Sequence, residues 1–270
     1  MSYTRFRKIV LGFYKKNGRH DLPWRKTHNP YRILVSEIML QQTQVERVIP
    51  YYKNFIKKFP TVNRLAKAPL SEVLSAWQGL GYNRRAKMLH EAAKQVVKEY
   101  RGKFPKDERD LESLRGVGPY TARAVAAFAF NRDMIFIETN IRTAVMHHFF
   151  PKKKKVSDVE IENVLVGAFP VGNAREWYSA LMDYGSYLKR SGVRTNHRVK
   201  GYAKQAKFEG SLREARGAIL RALASGTKSE SEIASLLGRK RASQMKTALA
   251  ALRREGLVEA TRGGLRLPNA

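Results

Sequence analysis

The feature that most constrains the fold of this chain is a pair of glycines followed by a proline, Gly116-Val117-Gly118-Pro119. Leu111 and Leu114, just before it, have the spacing of one apolar helix face. Glycine allows a sharp turn, and proline is favoured at the first position of a helix. The pattern predicts two helices joined by a tight hairpin. It fits either a simple connection between core helices or a helix start whose N–H groups bind an anion.

Composition favours a polyanionic partner. The chain has 270 residues, a hydrophobic content of 43% and a formal charge of +29, from 52 Lys and Arg against 23 Asp and Glu. Its length suggests one large or two modest domains with a substantial core. The charge exceeds what solubility requires, so we expect a polyanion to bind, although a Lys-rich surface of some lineages is the alternative.

Several classes of protein are disfavoured. No apolar run approaches the roughly 18 residues of a spanning helix, and the basic start, residues 1–16, lacks the cleavage pattern of a signal peptide. We therefore expect a cytoplasmic protein that does not bind membranes. Cysteine is absent, which excludes disulfides and thiolate metal sites.

Glu37 is a candidate general acid. Asn29-Pro30 has the pattern of a helix start, and Ile33, Leu34 and Leu40 share the face of that helix with Glu37. A carboxyl group among apolar neighbours loses solvation and binds its proton more tightly. That property suits a proton donor at neutral pH. The alternative is an ordinary glutamate on the solvent side of an amphipathic helix.

Further motifs make a family resemblance plain: Leu114–Ala122, Glu138–Arg142, Ser36–Val45 and Gly79–Tyr82. From about Leu22 to about Gly185, the chain resembles the helix-hairpin-helix (HhH-GPD) DNA glycosylases, and within them the adenine DNA glycosylase branch. The Gln-Gln-Thr run with its preceding glutamate is the most specific of these motifs. The resemblance implies an all-α, two-lobed fold for residues 1–188, with about 30–135 as one lobe and the terminal segments as the other.

The resemblance also implies a reaction. A deoxyadenosine opposite 8-oxoguanine or guanine would be flipped into a pocket, protonated by Glu37 and released, while Glu138 stabilises the positive charge on the sugar. Tyr120 stands where bifunctional relatives carry a nucleophilic lysine, so we expect a monofunctional N-glycosylase without lyase activity. The partner would be double-stranded DNA with a mismatched or damaged base. We expect a monomer associated with the nucleoid.

The resemblance assigns two further groups of residues. It places Trp24, Arg25, Tyr120 and Asn140 at the base pocket, where Trp24 would stack on a purine, Arg25 would lie near the sugar-phosphate, and Asn140 would steady the carboxylate. A packed core tryptophan is the alternative for Trp24. The DNA contacts would come from a loop that enters the base stack, an aromatic wedge beside the opposing base and the hairpin: Gln41, Gln42, Thr43, Tyr82, Gly116, Val117, Gly118 and Thr121. Solvated surface amides, or a tyrosine that caps the core, would fit the same residues.

The chain departs from the family at Glu138, where an aspartate is usual. Glutamate has the same charge on an arm longer by about 1.5 Å, and chemistry at the sugar C1′ tolerates little misplacement. A protein that binds lesions without cutting them therefore stays an alternative. A uracil or thymine mismatch glycosylase is another, because thymine-mismatch relatives can also carry tyrosine at position 120.

The iron–sulfur cluster of most relatives cannot be built here. After Asp183-Tyr184-Gly185, where relatives place four cysteines, this chain has a polar, basic segment that we interpret as a linker, residues 189–210. His197 is a lone histidine without partners at ligand spacing, so we predict no metal site. A monovalent ion at the hairpin, bound by backbone carbonyls, is compatible with the sequence.

Residues 211–270 predict a winged helix-turn-helix domain. Helices are expected at Leu212–Leu223, from a capping box at Ser229 and Glu232 to about Leu237, and at Ala242–Glu255, followed by a β-hairpin around a Gly-Gly turn. If the domain binds DNA, the third helix would direct Ser243, Gln244 and Lys246 to a groove, with Arg262 on the wing. Winged helices also mediate protein contacts. Adenine glycosylases commonly carry a Nudix-like module in this position.

Overall fold

A computed structural model describes residues 1–195 and 207–269 of the chain, and its elements are mainly helical. The helices are α1 (Tyr3–Asn17), α2 (Pro30–Leu40), α3 (Val45–Lys58), α4 (Val62–Ala66), α5 (Leu70–Trp77), α6 (Arg84–Tyr100), α7 (Glu108–Ser113), α8 (Pro119–Phe130), α9 (Thr139–Phe149), α10 (Asp158–Ala168), α11 (Ala174–Arg190), α12 (Leu212–Ala224), α13 (Glu230–Ser235) and α14 (Ala242–Arg254). Strands β1 (Glu259–Thr261) and β2 (Gly264–Arg266) form an antiparallel hairpin. The predicted all-α class is confirmed. The lone histidine considered as a metal ligand, His197, lies outside the described residues.

Helix starts follow the capping residues in the sequence. At α2, Asn29 Oδ1 accepts a hydrogen bond from the backbone N–H of Arg32 at 3.2 Å. At α13, the Ser229 side chain accepts from the Glu232 N–H at 3.2 Å, and the Glu232 carboxylate accepts from the Ser229 N–H at 2.7 Å. Each contact satisfies an N–H group that the helix itself leaves unpaired.

One compact unit contains Met1–Glu37, Pro105–Ser113 and Val117–Lys204. Its core lies where α11 packs on α9 and α1, around the buried side chains of Trp177 and Tyr178. The ring of Phe136 stacks on that of Tyr178 at a centroid distance of 3.8 Å. Helices α8 and α10 pack on the same group of helices. Glu37, Tyr120 and Glu138 all belong to this unit.

The other compact unit contains Ile38–Phe104, Leu114–Gly116 and Gln205–Ala270. Helices α4 and α5 pack on α6 around the fully buried Phe55 and Trp77. The C-terminal helices and hairpin belong to this unit. The Ser71 N–H donates to the carbonyl of Pro268 at 2.9 Å, and Lys87 Nζ donates to the carbonyl of Glu255 at 2.8 Å.

The boundaries of these units differ from those of the predicted domains. Helix α8 packs on α11 and α7, so residues 117–135 group with the terminal segments and not with the predicted 30–135 lobe. Residues 211–269 group with 38–104 because α12 contacts α5 and backbone hydrogen bonds reach the C-terminal end of the chain. These contacts join residues far apart in sequence, which local patterns do not reveal.

Local structure corrects two further expectations. A residue before proline is pushed out of the helical region, which predicts an extended segment over Leu22–Arg25. Residues Pro23–Arg25 instead form a 3-10 turn in which the Arg25 N–H donates to the Leu22 carbonyl at 2.9 Å. Proline is pre-set for the first position of such a turn, and only the residue before it stays extended. The second expectation was a Gly-Gly turn in the C-terminal β-hairpin. The turn consists instead of Arg262 and Gly263, because Thr261 pairs with Gly264 in the strands.

The C-terminal elements lie where the sequence predicts them, although the second helix ends at Ser235. Gln244 was expected to face a DNA groove. Its amide instead donates to the Gly210 carbonyl at 2.7 Å and accepts from Arg241 at 2.8 Å. Ser243 and Lys246 on the same helix are exposed. Across residues 1–195 and 207–269, no helix has both the length and the apolar character needed to cross a membrane.

Candidate active site

Glu37 is a buried carboxyl group on α2. Only 7% of the residue is exposed, and its helix neighbours Ile33, Leu34 and Ile38 are each 2% exposed. Burial raises the pKa of Glu37 to about 7; the hydrogen bond from Tyr120 and the charge of Arg25 oppose this shift, and the charge of Glu138 adds to it. The group can therefore hold or release a proton near neutral pH.

Tyr120, in the first turn of α8, is the polar neighbour of Glu37. Its hydroxyl donates to Glu37 Oε2 at 3.4 Å, and its ring packs edge-on against Phe136 at a centroid distance of 5.6 Å. Burial, together with the charges of Glu37 and Glu138, raises the pKa of the Tyr120 phenol well above its usual value. The hydroxyl is therefore a neutral hydrogen-bond donor toward the carboxyl group.

Glu138 is the N-cap of α9 and folds back onto the start of its own helix. Its Oε1 accepts from the backbone N–H groups of Asn140 at 2.7 Å and Ile141 at 2.8 Å, and its Oε2 accepts from the Asn140 side-chain amide at 3.2 Å. This cap absorbs the extra length of glutamate, because the arm bends back over the first turn. Burial raises the pKa of Glu138, while these N–H groups and the charge of Lys189 act in the opposite direction.

A close helix crossing sets the position of this cap. Gly185 on α11 approaches the start of α9 so closely that a Cβ atom there would lie 1.9 Å from the carbonyl oxygen of Asn140. Only glycine allows this distance between the two backbones. Gly185 appeared in the sequence as part of a family motif, and its contact with Asn140 became visible only in the fold.

Arg25 is bound to a buried carboxylate. Its guanidinium forms a two-pronged pair with Asp183, at 2.5 and 2.9 Å, and also donates to the Ser179 carbonyl at 3.3 Å. Arg19 contacts the same carboxylate through its backbone N–H and its side chain, both at 2.7 Å. Burial alone would raise the pKa of Asp183, but the two arginines outweigh it and hold that pKa below its usual value. Arg25 thus joins the turn that contains the buried Trp24 to α11.

Lys189, near the end of α11, is a site residue that the sequence reasoning missed. Burial lowers the pKa of its amine, and the charge of Glu138 partly restores it. Lys189 is the first residue of the segment predicted to be a linker, residues 189–210, where the sequence shows only a basic run. Nothing in that run distinguishes this lysine from its neighbours, so only the fold shows that its charge acts on Glu138.

The two glycines of the hairpin, Gly116 and Gly118, differ in backbone conformation and in how closely other residues approach them. Gly116 has a φ of +75°, and a Cβ atom on it would lie 2.4 Å from Cβ of Met88. Gly118 is the extended N-cap of α8, and no heavy atom of the described residues lies within 4 Å of where its Cβ would be. Val117 and Thr121 are 5% and 3% exposed. Their side chains are therefore in the core, which leaves main-chain groups as their means of contact with a ligand.

The other predicted DNA-contact residues lie together in the unit that contains α3 to α6. Helix α2 ends at Leu40, and Gln42 and Tyr82 have positive φ values of 53° and 48°. Arg85 holds this region: its Nη1 donates to the carbonyls of Ile38 at 2.7 Å and Gln41 at 2.6 Å. Its Nη2 donates to Thr43 Oγ1 at 3.4 Å and to the carbonyl of Gly81 at 3.3 Å.

Arg85 was also missed by the sequence reasoning. Burial lowers its pKa to about 10, and its guanidinium lies 5.4 Å from the centroid of the Tyr82 ring. The loop containing Gln41, Gln42 and Thr43 and the loop containing Tyr82 are therefore joined by one side chain. In the sequence, Arg85 could have been noticed only as an arginine three residues after the Gly79–Tyr82 motif.

No group of three or more potential His, Cys, Asp or Glu metal ligands occurs among the described residues.

Comparison with known proteins defines the class. Residues 35–167 match the model of the HhH-GPD superfamily of base excision DNA repair proteins, and this range includes Glu37, the hairpin and Glu138. Curated relatives at 35% and 40% identity agree with that match. The chain belongs to the HhH-GPD superfamily.

Within that class, relatives named adenine DNA glycosylase are similar to this chain. The Buchnera aphidicola protein of that name is 35% identical over 187 residues, which cover 68% of this chain and 52% of the relative. The Mycolicibacterium smegmatis protein is 40% identical over 181 residues, 66% of this chain and 61% of the relative. The chain thus spans about half to three fifths of the length of these relatives.

A solved structure agrees with the fold. The structure of a thermostable thymine-DNA glycosylase aligns with a TM-score of 0.56 at 28% identity, and the alignment covers 68% of this chain and 87% of that one. The predicted helix-hairpin-helix glycosylase fold is confirmed by this likeness and by the family match.

Proposed function

We propose that this protein is a monofunctional DNA glycosylase that removes adenine mispaired with 8-oxoguanine or guanine and leaves an abasic site. The observation that carries the proposal is the buried Glu37 carboxyl group, whose pKa is raised to about 7 beside the Tyr120 hydroxyl. Adenine leaves readily only after a ring nitrogen gains a proton, so its release needs an acid of this kind. The names of the relatives, adenine DNA glycosylase, support the same substrate.

The reaction assigns one role to each carboxylate. Glu37 donates its proton to adenine, the bond from C1′ to the base breaks, and its electron pair leaves with the base. Glu138 stabilises the positive charge on the sugar, in the geometry fixed by Asn140. Water then adds to C1′ and gives a proton to Glu37, which restores the acid. Tyr120, as a neutral phenol, orients the Glu37 carboxyl group and provides no amine for strand cleavage.

The partner we propose is a DNA duplex with a mispaired or damaged base. The charge of +29 supports binding to a polyanion, and the hairpin before α8 supports a phosphate contact at a helix start. The loops joined by Arg85 are suited to fill the gap left by an extruded base. We further propose that the chain acts as a monomer on cytoplasmic DNA, with residues 211–270 as a winged-helix module.

A second candidate is removal of thymine or uracil opposite guanine. Two observations favour it: tyrosine at position 120, and the likeness to a solved thymine-DNA glycosylase. A pyrimidine can leave as a stabilised anion, so such an enzyme has less need of the raised pKa of Glu37. That difference makes the adenine reaction the better supported proposal.

Single-turnover base release decides between these functions. Duplexes with A:8-oxoguanine, A:G, U:G and T:G are incubated with excess protein, and alkali then reveals abasic sites. We expect adenine release, reduced by at least about 10²-fold in Glu37→Gln and Glu138→Gln. Glu46→Gln, an exposed carboxylate on α3, is the matched control and should release adenine like the parent protein.

The other outcomes have defined meanings. Release from U:G or T:G alone would replace the adenine proposal with the pyrimidine one. Tight binding to every duplex without base release would mean that the protein recognises lesions and does not excise them. Strand cleavage before alkali, trapped by borohydride, would contradict the monofunctional assignment.

A further inference from the structure

The side chain of Tyr82 contacts the C-terminal part of the chain. Arg213, in the first turn of α12, places its guanidinium carbon 5.5 Å from the centroid of the Tyr82 ring, and its Nη1 donates to the Tyr82 hydroxyl at 3.3 Å. Arg85 lies 5.4 Å from the same centroid. Two guanidinium groups from separate segments therefore hold one ring, an arrangement that cation–π attraction stabilises.

These residues line a cavity of about 460 Å³ in the unit that contains α3 to α6 and the C-terminal helices. Its walls include the amides Gln41 and Gln42, the ring of Tyr82, Arg213 and the apolar Ile38 and Met88. Cavities of roughly 300–1,000 Å³ with mainly apolar walls and a few placed polar groups are typical ligand sites. The combination of a ring, carboxamides and guanidinium groups suits a planar heterocycle with a phosphate nearby.

Among the described residues, this wall contains one carboxylate, Glu255, and it is neutralised within the protein. Arg216 on α12 forms a two-pronged pair with Glu255, just after α14, at 2.8 and 2.6 Å. Lys87 on α6 donates to the Glu255 carbonyl at 2.8 Å. These contacts join α12 and α6 to the residue just after α14, and the ion pair removes the repulsion that a free carboxylate would exert on a phosphate.

We propose that this cavity holds the purine nucleotide opposite the excised base, and that Arg213 is a specificity-determining residue that orients Tyr82 and reads that purine. The inference rests on the proposed function, because it assumes a DNA duplex with an extruded base. Arginine is the side chain that most often binds the acceptor edge of guanine in DNA, and tyrosine stacks on bases of any sequence. The C-terminal module is thereby part of the lesion site and not a separate DNA-binding attachment.

The experiment uses the full chain and a duplex that cannot react, with 2′-fluoro-deoxyadenosine opposite a fluorescent guanine analogue. Binding by the parent protein should change the emission of the analogue, because the cavity alters its stacking. In Arg213→Ala we expect that change to fall by about threefold to tenfold at saturating protein. Arg213→Lys, which keeps the charge but not the planar fork, should lose most of it as well.

Arg253→Ala is the matched control. Arg253 is an exposed arginine on α14 that pairs with Glu230 at 3.2 Å, and it does not line the cavity. Its removal lowers the charge of the module by the same amount and should leave the emission change intact. Thermal melting of each variant shows that the fold is retained, and Arg213→Lys provides the test if Arg213→Ala does not fold.

Rates on reactive duplexes provide the second measurement. Guanine presents two acceptors, O6 and N7, to an arginine, whereas N7 of 8-oxoguanine carries a hydrogen. Arg213→Ala should therefore slow adenine release from A:G more than from A:8-oxoguanine and raise the ratio of the two rates, whereas Arg253→Ala should not. An emission change that is the same in the parent, Arg213→Ala and Arg213→Lys proteins would overturn the inference. A second outcome would also overturn it. If the free fluorescent guanine mononucleotide binds tightly in an Arg213-dependent way, but the duplex emission does not depend on Arg213, the cavity serves a free nucleotide.

The two proposals fail separately. If the parent protein releases no adenine but the emission change depends on Arg213, the cavity assignment stands and the excision proposal is wrong. If adenine release is normal and no Arg213 variant alters emission or the rate ratio, the excision proposal stands and the cavity assignment is wrong.

Discussion

At the scale of single residues, the chemistry of the site depends on the burial of Glu37. The apolar neighbours of this residue in α2 were visible as a helical pattern, so a raised pKa was predicted from sequence. Its value also depends on Tyr120, Arg25 and Glu138, which approach from other elements. No local pattern indicated that Arg25 would be paired with Asp183, because their positions in sequence differ by 158 residues.

The raised pKa makes a prediction about stability. Below pH 4.5, Glu37 is neutral in both the folded and the unfolded chain; between its usual value and about 7, only the unfolded chain ionises, so the free energy of unfolding falls as pH rises. Glu37→Gln cannot ionise. We expect it to be more stable than the parent protein by about 2–3 kcal/mol at pH 8, with little difference at pH 4.

Urea unfolding at both pH values measures this difference. Glu46→Gln, at an exposed position, should follow the parent protein at both values. Equal stability of Glu37→Gln and the parent protein at pH 8 would show that the carboxyl group is not desolvated.

Single-turnover adenine release by the parent protein should fall as pH rises through about 7, because the proposed first step uses protonated Glu37.

At the scale of elements, the two glycines of the hairpin before α8 have different roles, one in folding and one in the proposed phosphate contact. The positive φ of Gly116 and its contact with Met88 are structural requirements, whereas Gly118 is extended with open space at its Cβ position. We expect Gly116→Ala to lower the free energy of unfolding by about 2 kcal/mol or more. Gly118→Ala should change it by less than about 1 kcal/mol, yet weaken binding to a duplex, because its methyl group would occupy the proposed phosphate site.

Urea unfolding and fluorescence anisotropy with a mismatched duplex make this comparison, each variant serving as the control for the other. If Gly118→Ala binds the duplex as tightly as the parent protein, the hairpin is a connection between core helices and not a phosphate site. If Gly116→Ala is as stable as the parent protein, the tight approach to Met88 is not required for folding.

At the scale of the whole molecule, the charge of +29 determines how binding depends on salt. Each phosphate that a lysine or arginine neutralises releases bound counterions, so affinity falls steeply as salt increases. With about 6–10 such contacts, we expect the dissociation constant for a mismatched duplex to rise by at least about 10³-fold between 50 and 200 mM salt. Anisotropy titrations at several salt concentrations measure the slope, and a matched duplex without a lesion separates the nonspecific part. A dissociation constant that hardly changes with salt would contradict a phosphate-dominated interface.

The sequence by itself determined the helical class, the helix starts and the hairpin. Those features depend on neighbours within about four residues, through spacing, capping and backbone preference. Only the tertiary structure decided that Glu138 caps its own helix under Gly185, that Arg85 joins two loops, and that Arg213 contacts Tyr82. Burial and charge at these positions arise from groups distant in the chain, and local preferences carry no information about which distant segments will meet.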